Sequence, residues 1–284
     1  MDPKTMMSRF NAMEASIQAL KSELEQLKTQ QSHQQSLLTR ALPSRSALCI
    51  GINYRGTRAE LRGCIADANN IATLLRSSYG YTDITMLTDD TATKPTKQNI
   101  LRAVQALIDS PTEVKTLSYS GHGSNLTDRD REEKDGRDET WVSLDFINIV
   151  DDELFSILSR LKPNQRLYIV SDSCHSGTVF DLPYCMDTKN LLRENTKQLT
   201  CPNIYCISGC LDTQYSYDAT INGKASGAMT WSLLTSINSL KTSATPLSLL
   251  RTMQTNLDSR RFPQNPLFSS SSPIQQNANL VFFA

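Results

Sequence analysis

The sequence has no surplus of charge of either sign, since 29 Lys and Arg residues balance 29 Asp and Glu residues. Without a basic excess, a nucleic-acid partner held by bulk electrostatics is not expected. No run approaches the ~18 consecutive apolar residues of a membrane-spanning helix, so no membrane partner is expected. The first residues contain no apolar segment of the kind that a signal peptide needs. At 284 residues, the chain is long enough to bury one good hydrophobic core.

Cysteine occurs seven times, an odd number that does not suit a framework of paired disulfides. Cysteines such as Cys49 and Cys206 lie inside apolar runs. Both observations favour reduced thiols and a cytoplasmic location. Zinc is not expected, because the spacing of Cys201, Cys206 and Cys210 matches no standard site and no histidine lies near them.

Residues 4–40 contain neither Gly nor Pro, and they are rich in Gln, Lys, Glu, Ser and Leu. Their apolar residues recur in the heptad pattern of a coiled coil: Met6, Phe10, Met13, Ile17, Leu20, Leu24 and Leu27. This pattern predicts self-association, or docking of a partner helix, through residues 6–27. The alternatives are an amphipathic helix that folds back on its own domain and a frayed arm. Pro43 marks a linker, so we expect a helical segment over 1–45 and a second domain over 46–284.

The second domain alternates strand-like and helix-like segments. Strands are predicted at Ala47–Tyr54, Asp83–Leu87, Val114–Ser120, Arg166–Val170, Asn203–Ser208 and Asn279–Phe283. Helices are predicted at Ile65–Ser78, Thr96–Ser110, Asp151–Leu161, Ser226–Leu240 and Ser248–Ser259. Such alternation favours an α/β fold, with a mostly parallel sheet of about six strands covered by helices on both faces. The polar residues 183–202 are predicted to form a surface excursion.

Two of the predicted strands end in residues that carry chemistry. The strand Arg166–Val170 leads into Ser173–Gly177, a turn of small residues that contains Cys174. The strand Val114–Ser120 leads into His122, which has a glycine on either side. Because parallel strands carry their chemistry at their carboxyl edge, we predict Cys174 as a nucleophile and His122 as its general acid and base. The alternatives are a buried structural cysteine and a histidine that caps a loop.

The residues around these two positions resemble a known family. Tyr119–Gly123 (YSGHG) and Asp172–Gly177 (DSCHSG) are similar to the histidine and cysteine boxes of metacaspases, which are caspase-like cysteine peptidases. Further segments follow the family's order: Gly51–Tyr54, Leu61–Cys64, Asp67–Ala68, Leu87–Asp90, Asp151–Leu154, Asp181–Tyr184 and Ser208–Cys210. The resemblance implies the caspase–haemoglobinase fold. It also implies a large-subunit-like part over 46–185, a linker loop over 186–202 and a small-subunit-like part over 203–284.

The resemblance assigns roles to individual residues. Backbone N–H groups of Gly123 and Cys174 would hold the oxyanion of the reaction. The pocket for the residue before the cut would be lined by Asp67, Ser120, Asp172 and Asp212. Two partly buried carboxylates are costly unless a cation pairs with them, so this pocket should accept Arg or Lys. The alternative is that Asp67 only caps its own helix and Asp172 only caps the turn that follows it.

Residues 128–152 are rich in carboxylates, which most often belong to a solvated loop. The resemblance implies instead a site for Ca²⁺ as an activator, formed by Asp138, Asp151, Asp152 and Asp181. Clustered carboxylates suit this ion because it takes about six to eight oxygen ligands.

Together these features predict a calcium-stimulated cysteine endopeptidase that cleaves protein or peptide substrates after Arg or Lys. His175 is a rival base to His122, but it adjoins Cys174 and its side chain should point elsewhere. Self-cleavage is a further hypothesis, because the polar segment contains Lys189, Arg193 and Lys197. The alternatives are a non-catalytic scaffold of the same fold that acts through its coiled coil, and a caspase that cuts after Asp.

Overall fold

The computed structural model describes most of the chain from Pro43 onward and part of the N-terminal segment. The described residues are 7, 14, 16–28, 43–127, 137–173, 180, 182–189, 191–193, 203–209, 218–221, 224–241, 244–278, 280 and 282–284. By its internal contacts the chain divides into two units, residues 1–43 and residues 44–284.

The N-terminal unit contains a helix, α1, over residues 16–28. Its sequence favours helix because it contains no Gly or Pro and many good helix formers. The apolar stripe of the heptad pattern is exposed on this helix, with Ile17 at 44%, Leu20 at 64%, Leu24 at 53% and Leu27 at 60% of full exposure. Association through this stripe stays a prediction.

The second unit is built on β-strands that follow the apolar runs of the sequence. In chain order the strands are β1 (Arg45–Gly51), β2 (Asp83–Thr88), β3 (Val114–Ser120), β4 (Gly123–Thr127), β5 (Arg137–Val142), β6 (Asn148–Val150), β7 (Arg166–Asp172), β8 (Tyr184–Met186), β9 (Leu191–Arg193), β10 (Ile204–Ser208), β11 (Asp218–Ile221), β12 (Lys224–Gly227) and β13 (Leu267–Ser270). The helices are α2 (Cys64–Tyr79), α3 (Lys97–Asp109), α4 (Asp151–Leu158), α5 (Ala228–Leu240) and α6 (Pro246–Ser259).

The main sheet has eight strands among the described residues, in the order β2-β1-β3-β7-β10-β13-β8-β9. The first five strands of this order run parallel to one another. The last three continue the sheet in antiparallel pairs. The predicted α/β fold with a mostly parallel sheet is therefore confirmed, and β8 and β9 are two short strands more than the sequence led us to expect.

Both faces of the sheet are covered, as predicted. Successive residues of β1 alternate between the two hydrophobic clusters, with Leu48 and Ile50 in one and Ala47 and Cys49 in the other. Helices α3 and α4 pack on the first face, and α2, α5 and α6 on the second. Thr96 caps the start of α3, because its hydroxyl accepts from the Asn99 N–H at 3.4 Å. This packing holds the carboxyl ends of the parallel strands at one edge.

Two small sheets lie outside the main one. Strands β4, β5 and β6 form a three-stranded antiparallel sheet that begins directly after His122. Strands β11 and β12 pair antiparallel and lead into α5. Neither sheet was predicted, because their residues are polar and lack the apolar runs that identify the main strands.

Two predicted elements, the terminal strand and the linker loop, differ from the structure in kind, and several others differ in their bounds. The terminal strand predicted at Asn279–Phe283 is wrong. The described residues there form turns, and Phe282 and Phe283 are buried against Tyr168 without joining the sheet. The strand that pairs with β10 on the side away from β7 is β13, and its serines hid it in the sequence. The predicted linker loop 186–202 contains strand residues of β8 and β9, and the helix predicted from Ser226 begins at Ala228.

None of the helices in the described ranges has both the length and the apolar character needed to cross a membrane. The described cysteines, Cys49, Cys64, Cys185 and Cys206, are buried thiols that form no disulfide. Burial raises the pKa of the Cys49 thiol to about 11 and the pKa of Cys206 further still. Thiols held protonated in this way are inert, so these two are structural.

Candidate active site

His122 lies two residues after the end of β3 and is held through both of its backbone polar groups. Its N–H donates to the Tyr54 hydroxyl at 3.0 Å, and its carbonyl accepts from the Val142 N–H at 3.0 Å. The Tyr119 hydroxyl also lies 2.7 Å from that carbonyl. Gly121 is required beside it, because a methyl group there would lie 2.7 Å from the Tyr119 hydroxyl. The position of His122 is therefore set by the Tyr119 side chain of β3, the Tyr54 side chain of the loop after β1 and the backbone of β5.

The imidazole of His122 is oriented by a backbone carbonyl. Its Nε2 lies 2.8 Å from the Ala59 carbonyl oxygen, and the Tyr54 ring lies 4.7 Å from the imidazole, centroid to centroid. A carbonyl oxygen only accepts hydrogen bonds, so Nε2 carries the proton in the neutral ring. This leaves Nδ1 as the nitrogen that exchanges a proton with a reacting group. The half-buried ring is thus held in the tautomer that a general base needs.

The predicted nucleophile, Cys174, lies outside the described residues, together with its rival neighbour His175. The chain is described up to Ser173, which is buried. In the paired strands, Ser120 lies opposite Asp172, and the Gly121 N–H donates to the Asp172 carbonyl at 3.3 Å. The backbone that leads into Cys174 therefore runs beside the backbone that leads into His122, as the sequence predicted.

Asp67 lies on the first turn of α2 but does not cap that helix. One carboxylate oxygen, Oδ2, accepts from the Ser120 hydroxyl at 2.9 Å and from the Gly227 N–H at 2.8 Å. The other, Oδ1, accepts from the Ser226 hydroxyl at 2.6 Å. The carboxylate therefore joins α2 to β3 and β12.

Asp172, at the end of β7, faces the same point. Its Oδ2 accepts from the N–H and the hydroxyl of Thr230, at 2.9 and 2.8 Å, in the first turn of α5. Between the two acids lies Gly227: a methyl group on it would lie 2.2 Å from Asp172 Oδ2 and 2.8 Å from Asp67 Oδ2. Only a glycine leaves room for both carboxylates, since real carbon atoms do not approach oxygen this closely.

The acid pair is electrostatically unfavourable. Asp67 is 1% exposed and Asp172 is 4% exposed. Burial, and then repulsion from Asp172, raise the pKa of Asp67 to about 8, against the lowering effect of its hydrogen bonds. In the described part of the chain, no Lys or Arg forms an ion pair with Asp67. A bound cation would relieve this repulsion.

The structure thus brings together three of the four predicted pocket residues, Asp67, Ser120 and Asp172; the fourth, Asp212, lies outside the described residues. Sequence reasoning missed Ser226, Gly227 and Thr230, which complete the wall around the acids. A serine and a glycine directly before a helix indicate a cap or a turn, which is too common a pattern to identify a site. Ala59 was also missed, because its contribution is a backbone carbonyl.

The carboxylates predicted for calcium are described in part. Asp151 and Asp152 begin α4, and Asp151 is 2% exposed. Asp151 accepts from the Glu139 N–H at 2.9 Å, which places the backbone of Asp138 on β5 beside it. Asp181 lies outside the described residues, and within the described ranges no group of three His, Cys, Asp or Glu side chains is placed to hold a metal ion. Hard carboxylate oxygens suit Ca²⁺, so the donor type fits the ion.

Known proteins match the part of the chain that carries this site. A family model described as the metacaspase, peptidase C14 domain matches residues 45–183. Metacaspase-1 of Kluyveromyces lactis is 37% identical over an alignment that covers 84% of this chain and 68% of that protein. Metacaspase-1 of Scheffersomyces stipitis is 35% identical, with 84% of this chain and 73% of that protein covered.

Solved structures share the fold. A protein from Geobacter sulfurreducens superposes with a TM-score of 0.62 at 26% identity, and the match covers 85% of this chain and 99% of that one. Caspase-1 from Spodoptera frugiperda superposes with a TM-score of 0.55 at 14% identity, covering 86% and 94% of the two chains. The caspase comparison shows a common fold and nothing finer.

Proposed function

Because the chain belongs to the metacaspases, a family of cysteine peptidases, we propose that it is an endopeptidase that cleaves after Arg or Lys with Cys174 as nucleophile and His122 as acid and base. The observation that carries the specificity is the buried acid pair of Asp67 and Asp172 around Gly227. The observation that carries the roles is the fixed tautomer of His122 at the carboxyl end of β3.

The reaction proceeds in two steps. His122 Nδ1 first takes the proton of the Cys174 thiol, and the thiolate sulfur attacks the peptide carbonyl carbon. The S–C bond forms, and the C–N bond breaks as Nδ1 passes that proton to the departing amine. In the second step Nδ1 takes a proton from water as the water oxygen attacks the thioester carbon. The S–C bond breaks, the acid is released, and Nδ1 returns the proton to the Cys174 sulfur. Backbone N–H groups of Gly123 and Cys174 would stabilise the oxyanion, and one such donor is typically worth ~3–4 kcal/mol.

Specificity follows from charge. A guanidinium or ammonium group that enters the pocket pairs with both carboxylates and cancels their mutual repulsion. An acidic side chain would instead add a third negative charge. Asp67 does not cap its own helix, and Asp172 bonds to α5, so the capping interpretation does not explain either side chain. We assign Asp212 to the same pocket by its position in the family's pattern.

Peptides with a fluorogenic leaving group and Arg, Lys or Asp before it test this proposal. Turnover of the Arg and Lys peptides, abolished in Cys174→Ala and His122→Ala but kept in His175→Ala, is the expected result. Cleavage of the Asp peptide alone would indicate a true caspase specificity. No turnover of any peptide at any calcium concentration would favour the non-catalytic scaffold.

We also propose that Ca²⁺ stimulates the enzyme through Asp138, Asp151, Asp152 and Asp181. Bound there, the ion would neutralise carboxylates that otherwise repel one another at the start of α4. Titrating Ca²⁺ into chelator-treated protein should raise activity in the wild type and much less in Asp152→Asn. Equal activity with and without chelator would reject the calcium site.

Self-cleavage and self-association complete the proposal. Lys189 lies in the turn between β8 and β9, Arg193 ends β9, and Lys197 lies outside the described residues. Mapping new N-termini after incubation with Ca²⁺ tests cleavage there, and an uncut chain with full activity shows that it is not required. Light scattering on the wild type and Leu20→Ser tests association through α1, whose exposed stripe supports it.

A further inference from the structure

An exposed apolar pair lies at the turn between β5 and β6. Phe146 is 51% exposed and Ile147 is 50% exposed. Ser143 fixes this turn: its carbonyl accepts from the Phe146 N–H at 2.9 Å, and its hydroxyl accepts from the Ile147 N–H at 3.1 Å. Adjacent large apolar side chains left in water on a fixed turn mark an interaction surface more often than a packing defect.

The backbone of Phe146 is held in an unfavourable conformation. Its φ is +59°, in the left-handed region that bulky side chains rarely adopt. Asp145 fixes the turn to the neighbouring helix, because its carboxylate accepts from the Lys97 N–H at 3.0 Å. Strain that is held in place by surrounding contacts concentrates at functional sites.

Phe146 of the exposed pair is linked to the catalytic imidazole through Tyr54. The Phe146 ring lies 5.6 Å from the Tyr54 ring, and the Tyr54 ring lies 4.7 Å from that of His122. Tyr54 also has a positive φ, +50°. Two aromatic residues in strained conformations thus form a row from the surface to the histidine.

The chemistry indicates which part of the substrate lies beside this row. His122 protonates the departing amine, and that amine belongs to the residue after the cut. The substrate chain beyond the cut therefore leaves the site past the imidazole. Tyr54 is buried, and the two ring separations place the Phe146 ring within about 10 Å of the imidazole, a span that three residues of an extended chain cover at ~3.3–3.6 Å each.

We propose that Phe146 and Ile147 form an apolar surface that binds the side chains of the first three residues after the scissile bond. Resting on the proposed function, this assigns a preference for aromatic or aliphatic residues on that side of the cut. Binding covers half-exposed apolar area, which stabilises the complex in proportion to the area removed from water. A charged side chain would be desolvated there without a partner, and it should be disfavoured.

Internally quenched peptides test this preference. Each peptide carries Arg before the cut. In the apolar series the three positions after the cut hold Phe or Leu, and in the polar series they hold Ser or Asp. We expect kcat/KM to be about tenfold higher for the apolar series. In Phe146→Gly and Ile147→Ser this ratio should fall towards one. Phe146→Gly also removes the backbone strain, so it should remain folded.

The control variant is Leu126→Ser, which removes an exposed apolar side chain from β4, 41% exposed, away from this turn. It should keep the wild-type ratio. If the wild type cleaves fluorogenic Arg peptides but cleaves the two quenched series at equal rates, this inference is overturned and the proposed function stands. No cleavage of any Arg or Lys peptide would overturn the proposed function and the inference together. If both variants keep the wild-type ratio of kcat/KM but change their oligomeric state, Phe146 and Ile147 form an interface between chains, and the inference is wrong.

Discussion

Replacing Asp67 by Asn separates a role in binding from a role in stability. The amide has the shape of the carboxylate, so its oxygen can accept from the Ser120 hydroxyl and the Gly227 N–H. Its nitrogen would face the Ser226 hydroxyl, which can turn its proton to the Gly227 carbonyl at 3.3 Å and accept instead. The amide oxygen keeps both donors and one of the two amide N–H groups bonds to Ser226, so the variant should fold.

The stability of Asp67→Asn should exceed that of the wild type at alkaline pH. Burial and then Asp172 raise the pKa of Asp67 from 3.8 to about 8 in the folded protein. The folded state therefore binds the proton more tightly than the unfolded state, and this stabilisation is lost as pH rises from about 4 to about 8. Asn does not titrate, so the gain should grow over this range to about 1–3 kcal/mol at pH 8. Urea unfolding at pH 5 and pH 8 measures it.

Activity should change in the opposite direction. A hydrogen bond to a charged group contributes ~1.5–3 kcal/mol, so kcat/KM for Arg and Lys peptides should fall roughly 10- to 150-fold. Asp83→Asn is the matched control, because Asp83 is exposed at the start of β2 and should change neither quantity. A variant at Asp67 that is less stable at pH 8 yet keeps its kcat/KM would refute the reasoning, since the carboxylate would then be structural.

Two further substitutions follow from the same geometry. Gly227→Ala places a methyl group 2.2 Å from Asp172 Oδ2, so we expect a loss of ~1–3 kcal/mol in urea unfolding and a large drop in kcat/KM. Gly80→Ala is the control, because its φ is +69° and the space around it is open. Its stability should fall by ~1–2 kcal/mol with kcat/KM unchanged. Equal losses of activity in the two variants would contradict the steric argument. Tyr54→Phe removes the acceptor of the His122 N–H at 3.0 Å, so kcat should fall about tenfold with KM steady. A Tyr54→Phe enzyme with wild-type kcat would show that this contact does not position the imidazole.

Local patterns were sufficient for the main strands and for the histidine box. The run Val114–Ser120 contains the strand-favouring residues Val114, Thr116 and Tyr119, and the structure places every residue of it in β3. The position of His122 followed from the end of that run, because a strand delivers the next residue to the sheet edge. Strands without such runs were missed, as β13 shows: two of its four residues are serines, and its burial depends on the strand beside it.

Contiguous runs of residues were enough to identify the family, the parallel sheet and the strand ends that carry the chemistry. The tertiary fold is what brings Ser226 to Asp67 across 159 residues of chain and places Gly227 between the two acids. The same holds for the row from Phe146 through Tyr54 to His122. Such contacts depend on strand register and on how far a loop folds back, and no local pattern records either.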